Sequence, residues 1–383
     1  MVTSRVVILG AGFGGLELST RLSDGLGDRV QITLIDQADG FIFGFSKLDV
    51  LFGQRTLQQV KTPYEGAARA GVEFRQERVV AIDPVGRRVT TDAGSYDADV
   101  LVVALGADLD PAATPGFVES GHEFYSPTGA ERTGEVLRSF DAGVAVIAVL
   151  GPFFKCPPAP YETAFMLHDH LVGRGVRDAC EIWVVTQLPM PIPISQPVSA
   201  EIISAMDERS INYRPKTAVT SVDPGARVLH LDDGTTLPFD LILGVPVHRA
   251  PEVVVESGLT EDGWIPVDPA TFATRFPGVY AVGDVTSAPV PRAGIIAEGE
   301  AATLAEVLIA QFTGGPPPPP YAGAAICYIE MGQREVARVD VDFMAAGGPT
   351  ARFQPPSLAG AEEKAQFASS RRARWFGVHG TTP

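Results

Sequence analysis

The stretch Val6-Val7-Ile8-Leu9-Gly10-Ala11-Gly12-Phe13-Gly14-Gly15 constrains this chain more than any other. Arg5 to Leu9 reads as a buried strand, Leu16 to Leu26 as a helix and Gln31 to Ile35 as the next strand, which together make one βαβ unit. The glycines have separate duties. Gly10 permits the tight turn, Gly12 lets the backbone approach a pyrophosphate, and Gly15 lets the helix pack closely while its N-terminus faces the phosphates. Asp36 ends the second strand, where an acid accepts hydrogen bonds from an adenosine ribose. Glycines used only for turning would not need that acid. No arginine adjoins Asp36, which suits a ribose without a 2′-phosphate, so the expected ligand is FAD or NAD.

Strand and helix patterns go on alternating, as in a doubly wound sheet. A strand and turn cover Val72 to Asp83, a hairpin pairs Arg87 to Thr91 with Ser95 to Asp97, and an apolar strand runs from Val100 to Leu105 into Gly106. A second unit follows: a helix near Gly129 to Phe140, a buried strand over Val144 to Leu150, a helix over Tyr161 to Val172 and a strand over Glu181 to Thr186. Trp264 to Val285 reads as a short strand, a turn and an apolar strand, and a helix from Ile295 to Phe312 ends at Gly314. The five consecutive prolines Pro316 to Pro320 favour an extended spacer and mark a boundary. Beyond them come strand-like Ala324 to Glu330 and Glu335 to Phe343, then a charged helix from Ala361 to Phe376.

At 383 residues and 45% hydrophobic, the chain can build two or three cores. Its formal net charge of −16 opposes nucleic-acid phosphates and anionic lipid heads, so neither is an expected partner. Met1 leads straight into the first strand, so no cleaved export signal is expected, and no apolar run reaches the ~20 residues of a membrane span. The expected location is cytoplasmic, with peripheral contact on the cytoplasmic face of a membrane left open, as is a homo-oligomer. Three scattered cysteines, Cys156, Cys180 and Cys327, make neither a disulfide framework nor a metal site, and His168 and His170 point in different directions on their helix. No metal is expected.

Two segments favour FAD. Leu101-Val102-Val103-Ala104-Leu105-Gly106 resembles the strand returning to the flavin domain in flavoproteins with two dinucleotide domains. Thr274-Arg275-Phe276-Pro277-Gly278-Val279-Tyr280-Ala281-Val282-Gly283-Asp284 resembles their second flavin motif, in which the acid at the position of Asp284 binds the ribityl chain. Physically, a buried aspartate at a strand end needs donors, although a capped structural aspartate would meet the same need.

The second unit departs from a nicotinamide site. After its strand stands Gly151-Pro152-Phe153-Phe154-Lys155-Cys156-Pro157-Pro158-Ala159-Pro160-Tyr161-Glu162, where bulky residues and prolines deny a pyrophosphate its close approach and its amide donors. This segment, with Val290-Pro291-Arg292-Ala293-Gly294 and Ile326-Cys327-Tyr328, resembles the sulfide:quinone oxidoreductases and the flavoprotein subunit of flavocytochrome c sulfide dehydrogenase. That resemblance implies an FAD-dependent oxidoreductase in which Cys156 and Cys327 form a redox pair, sulfide or a small thiol is the substrate, and a quinone or other acceptor takes the electrons. It also implies Glu162 as acid or base, although Glu162 is equally suited to capping its helix, and a helix N-terminus beside Cys156 is expected to lower its thiol pKa. The implied cofactor-binding residues are Gly10, Gly12, Gly15, Asp36, Lys47, Val79, Gly106, Gly283, Asp284, Arg292 and Gly294.

The expected fold class is therefore α/β: two Rossmann-like domains and a small C-terminal α+β domain. Residues 1–108 and 250–315 are assigned to the FAD-binding domain, 109–249 to the second Rossmann-like domain, and 316–383 to the C-terminal one. The chain departs from the family in three respects. Residues 111–155 hold no third cysteine, Gly44 and Phe45 stand where some relatives attach FAD covalently, so noncovalent FAD is expected, and Arg292 replaces the family lysine. Arg371-Arg372-Ala373-Arg374-Trp375-Phe376 mixes basic and aromatic residues in a way that suits either a membrane surface or a helix covering the flavin. Ile326, Phe353, Trp375 and Phe376 are the apolar candidates for a quinone. Three other functions remain in view: an NAD(P)H-dependent flavin reductase, a sulfide dehydrogenase flavoprotein with a cytochrome partner, and a non-catalytic flavin redox sensor.

Overall fold

Ser4–Leu9 ends in four fully buried apolar residues, because it runs down the middle of a sheet covered on both faces. In the computed structural model, which describes residues 3–67 and 71–378, this strand pairs in parallel with Val30–Asp36 on one side and Val100–Val103 on the other. The full order is Val279–Ala281, Val100–Val103, Ser4–Leu9, Val30–Asp36 and Val72–Gln76. The first edge strand comes from late in the sequence, so the chain leaves this sheet and returns to finish it. A second parallel sheet, ordered Gly121–Glu123, Leu241–Val245, Gly143–Val149, Cys180–Val185 and Ile211–Arg214, is built in between. The α/β doubly wound class expected from the sequence is the class observed.

The predicted elements fall within a few residues of the observed ones. The helix expected from Ile295 spans Gly294–Thr313 and stops at Gly314, whose φ of 71° closes the last turn in the left-handed conformation that glycine adopts without strain. The strand expected near Trp264 is reduced to two isolated bridges, Glu261 with Trp264 and Ile265 with Thr286. Helix Gln196–Glu208 and edge strand Thr350–Ser357 were not foreseen; Pro355 and Pro356 are tolerated in the latter because they fall where the register shifts opposite Val336 to Arg338, on a strand at the sheet edge.

The last strands, Ala324–Glu330, Val336–Asp342 and Thr350–Ser357, form an antiparallel sheet, and helix Leu358–Phe376 follows them. The end of that helix turns inward, so the aromatic residues of the Arg371–Phe376 stretch are covered by protein. Trp375 and Phe376 are buried against Phe13, Phe41, Phe43 and Tyr64. Glu17, on the first helix and fully buried, accepts from Trp375 Nε1 at 2.9 Å, from Arg21 and from Arg374. Arg371 meets the carboxylate of Glu298 through Nε and Nη2. Carboxylates this deeply buried are tolerable only with such donors, and the basic residues exist to serve them. Among the described residues, no helix is long and apolar enough to cross a membrane.

Candidate functional site

The glycine turn, the first sheet, segments that follow strands of the second sheet and the C-terminal sheet all contribute to one cavity of about 950 Å3. Its dinucleotide end follows from the first βαβ unit. Gly10, at φ 97°, turns the chain so tightly that a Cβ there would lie 2.3 Å from the Ala104 carbonyl oxygen. A Cβ at Gly12 would meet nothing within 4 Å, so the wall is open just where the helix N-terminus points. Asp36 accepts from the amides of Ala11 at 2.7 Å and Ala38 at 2.8 Å, and burial raises its pKa despite those bonds.

Of the expected cofactor-binding residues, Gly10, Gly12, Asp36, Lys47, Val79, Gly106, Asp284 and Gly294 line this cavity. Gly15 lies behind the wall, where helix and turn touch, and Gly283 donates its amide to the Glu300 carboxylate at 2.5 Å. The side chain of Arg292 turns away from the cavity and lies over Trp264, 3.7 Å from the ring centroid. Asp284 faces the cavity, its pKa raised by burial, and its carboxylate receives no hydrogen bond from the described residues. Partly buried, with Lys155, Arg292 and Lys47 favouring its charged form but no described donor bonded to it, this acid is free to accept from a ligand, and the hydroxyls of a ribityl chain supply such donors. With the open cradle at Gly12 and the ribose acid at Asp36, the residues present fit FAD.

At the other end of the cavity stand Cys156, Cys327 and Glu162. Cys327 arrives on strand Ala324–Glu330. Cys156 arrives on the loop between strand Gly143–Val149 and helix Ala159–Gly173, in whose first turn Glu162 sits. Both cysteines are partly buried free thiols, close enough for their charges to interact. Cys156 has φ 56°, a left-handed conformation that costs a non-glycine residue about 1–2 kcal/mol. Its amide donates to the Arg292 carbonyl at 2.8 Å and its carbonyl accepts from Ala159 at 2.9 Å.

The expected depression of the Cys156 pKa is not what the structure gives. Burial, then the neighbouring Glu162 and Cys327, push it far up, and burial and Glu162 push Cys327 up to about 12. Desolvation of the thiolate outweighs the helix terminus. Glu162 is buried and is itself pushed up to about 7, first by burial; Lys364 and the Glu330 amide, at 3.0 Å, pull the other way. Lys364 pairs with Glu330 at 2.6 Å and lies 4.7 Å over the Phe45 ring. Burial works against the charge of Lys364, but Glu330 and Glu162 together raise its pKa.

Several site residues were invisible in the sequence. Lys364 and Glu330 reach Glu162 only through tertiary contact, and no spacing announces them. Tyr125 lines the cavity with a buried hydroxyl that has no hydrogen-bond partner among the described residues, and Lys47, pushed down to about 7 by burial and then by Lys155, donates to its carbonyl. Of the apolar quinone candidates only Ile326 lines the cavity, alongside Phe45, Tyr328 and Phe367, which were not foreseen there. Phe353 packs against the core below, and Trp375 and Phe376 lie in the aromatic cluster behind Phe13. Cys180 is a buried strand residue, His168 Nδ1 accepts from Arg177, and among the described residues no cluster could hold a metal ion.

Residues 4–305 match the model of the pyridine nucleotide-disulphide oxidoreductase family. The chain is 24% identical to the mitochondrial sulfide:quinone oxidoreductase of Mus musculus, covering 89% of this chain and 78% of that one. It is 26% identical to the sulfide-quinone reductase of Aquifex aeolicus, covering 87% and 82%. The solved structure of the sulfide:quinone oxidoreductase from Aquifex aeolicus superposes with a TM-score of 0.87 at 22% identity, over 97% of this chain and 92% of that one.

Proposed function

Because the chain belongs to the pyridine nucleotide-disulphide oxidoreductase family and is an FAD-dependent oxidoreductase, we propose that it oxidises sulfide, or a small thiol, through Cys156 and Cys327 and passes the electrons to a quinone. The observation that carries this reading is the meeting of two cysteines, remote in sequence, beside a buried carboxyl in the cavity that the glycine turn and Asp36 also line. FAD, when bound, supplies a two-electron acceptor between the sulfur and the quinone.

The sulfur chemistry is then a matter of this chain's own groups. Sulfide opens a Cys156–Cys327 disulfide: a new sulfur–sulfur bond forms on one cysteine as a persulfide, and the old bond breaks to leave a thiolate on the other. The two sulfurs would rejoin through the added atom as a trisulfide, with Glu162 taking the persulfide proton and the released electron pair going to the two-electron acceptor that FAD would supply. Lys364 and Glu330 hold Glu162 in place, and Lys364 shares a charge cluster with it. Phe45, Ile326, Tyr328 and Phe367 offer apolar faces for a quinone ring, with Lys364 beside Phe45.

The test is anaerobic titration of the FAD-loaded protein with sulfide and, separately, with NADH. Sulfide is expected to bleach the flavin stoichiometrically and NADH to leave it yellow. Flavin that stays oxidised in sulfide, or bleaches at least as fast in NADH, overturns the proposal in favour of a nicotinamide-driven reductase.

A pH dependence follows from Glu162. Its raised pKa keeps it protonated below about pH 7 and ionised above, so its capacity to accept the persulfide proton grows as pH rises through that value. The bleaching rate should therefore climb with pH around 7, and Glu162→Gln should keep only the limb due to sulfide's own ionisation. Stopped-flow rates across a pH series check this; identical profiles for both proteins would remove Glu162 from the mechanism.

A further inference from the structure

Arg292 does not itself line the cavity that its motif suggested, yet its bonds to residues that do are specific. The guanidinium lies over Trp264 at 3.7 Å and over Phe153 at 5.6 Å, and it donates to the carbonyls of Asp284 at 3.0 Å and Thr286 at 3.4 Å. Its own carbonyl accepts the amide of Cys156. Phe153 and Cys156 belong to the same loop, so one residue grips that loop at two points and ties both to the segment behind Asp284. Phe153 is 61% exposed, an unusual setting for a phenylalanine with no other duty. Cys156, meanwhile, holds a left-handed conformation that its neighbours must enforce.

We infer that Arg292 is a positioning residue that clamps the Phe153–Cys156 loop and so holds the Cys156 sulfur at the cavity wall, rather than a ligand of the cofactor. A lysine could supply the charge but not the flat face laid on Trp264 or the forked donation to two carbonyls. The inference rests on the proposed role of Cys156, but its test needs no turnover.

The experiment is alkylation of the FAD-loaded, thiol-reduced protein by iodoacetamide over a pH series, with Cys156 and Cys180 quantified separately by peptide mass spectrometry. In Arg292→Ala the released loop admits water to Cys156. Its alkylation should rise about tenfold and its pH profile move toward that of an ordinary thiol. Arg292→Lys should give a smaller rise, Cys180 should be unchanged, and the Kd for FAD should stay within about twofold. A weakened FAD affinity with Cys156 alkylation unchanged would make Arg292 a cofactor ligand. Equal acceleration of Cys180 would make it a general stabiliser. Should Arg292→Ala not fold, Phe153→Ala removes the exposed half of the clamp and decides the matter: faster Cys156 alkylation supports the inference, and an unchanged rate overturns it. Failure of sulfide to bleach the flavin would strike the proposed function and leave this result standing.

Discussion

Cys156→Ser should slow sulfide-driven bleaching of the bound flavin by ~10³-fold or more, an effect of the size seen when a covalent nucleophile is removed. Serine is nearly isosteric and no worse suited to the φ of 56° at this position, so the loop should keep its shape and the protein its yellow colour. What vanishes is a bond. An oxygen at position 156 cannot form the sulfur–sulfur linkage that sulfide must open, and Cys327 alone has no partner with which to carry away a sulfur atom and return an electron pair. Anaerobic stopped-flow bleaching, together with the flavin spectrum as a check on cofactor loading, measures it. If the serine variant bleaches as quickly as the parent, the two-cysteine route is wrong.

Gly15→Ala should be as damaging to the fold as Cys156→Ser is to activity. A Cβ at position 15 would lie 1.9 Å from the Gly10 carbonyl oxygen and 3.0 Å from its carbon. Both atoms are backbone and cannot rotate out of the way, so helix Phe13–Leu26 must lift from the sheet. That strain costs about 3 kcal/mol or more, beyond ordinary overpacking. The variant should unfold at lower temperature and lose FAD on gel filtration. Gly12→Ala provides the contrast, since its Cβ meets nothing within 4 Å. It should unfold like the parent while binding FAD poorly, because the methyl occupies space meant for phosphate. Wild-type thermal stability and full flavin content in Gly15→Ala would refute the packing argument.

Local pattern made the first βαβ unit legible: a run of buried β-branched residues, glycines at turn spacing and an acid at the strand end all depend on neighbours in sequence. The same held for the helix ending at Gly314 and for the prolines that cannot join a ladder. The site was legible only in part. Cys156 and Cys327 could be paired through resemblance alone, because nothing in either segment encodes the fold that joins them. Lys364 reads as one more charge on a charged helix; only the tertiary fold turns it toward Glu330 and Glu162. Trp375 and Phe376 fitted two settings equally well in sequence, since basic residues beside aromatic ones serve a membrane or a buried carboxylate with the same chemistry. Glu17 decides between them, and its burial cannot be seen from its place in an amphipathic helix.

The contact of Trp375 and Arg374 with Glu17 joins the last helix of the chain to its first, and strand Val279–Ala281 borders the sheet that Ser4–Leu9 began. Synthesis from the N-terminus therefore makes the nucleotide-binding turn early and its supports last. A nascent chain that has not yet released its final helix leaves Glu17 without its tryptophan and arginine donors and Phe13 without a covering ring. Removal of helix Leu358–Phe376 is therefore expected to weaken flavin retention, at a distance from any sulfur.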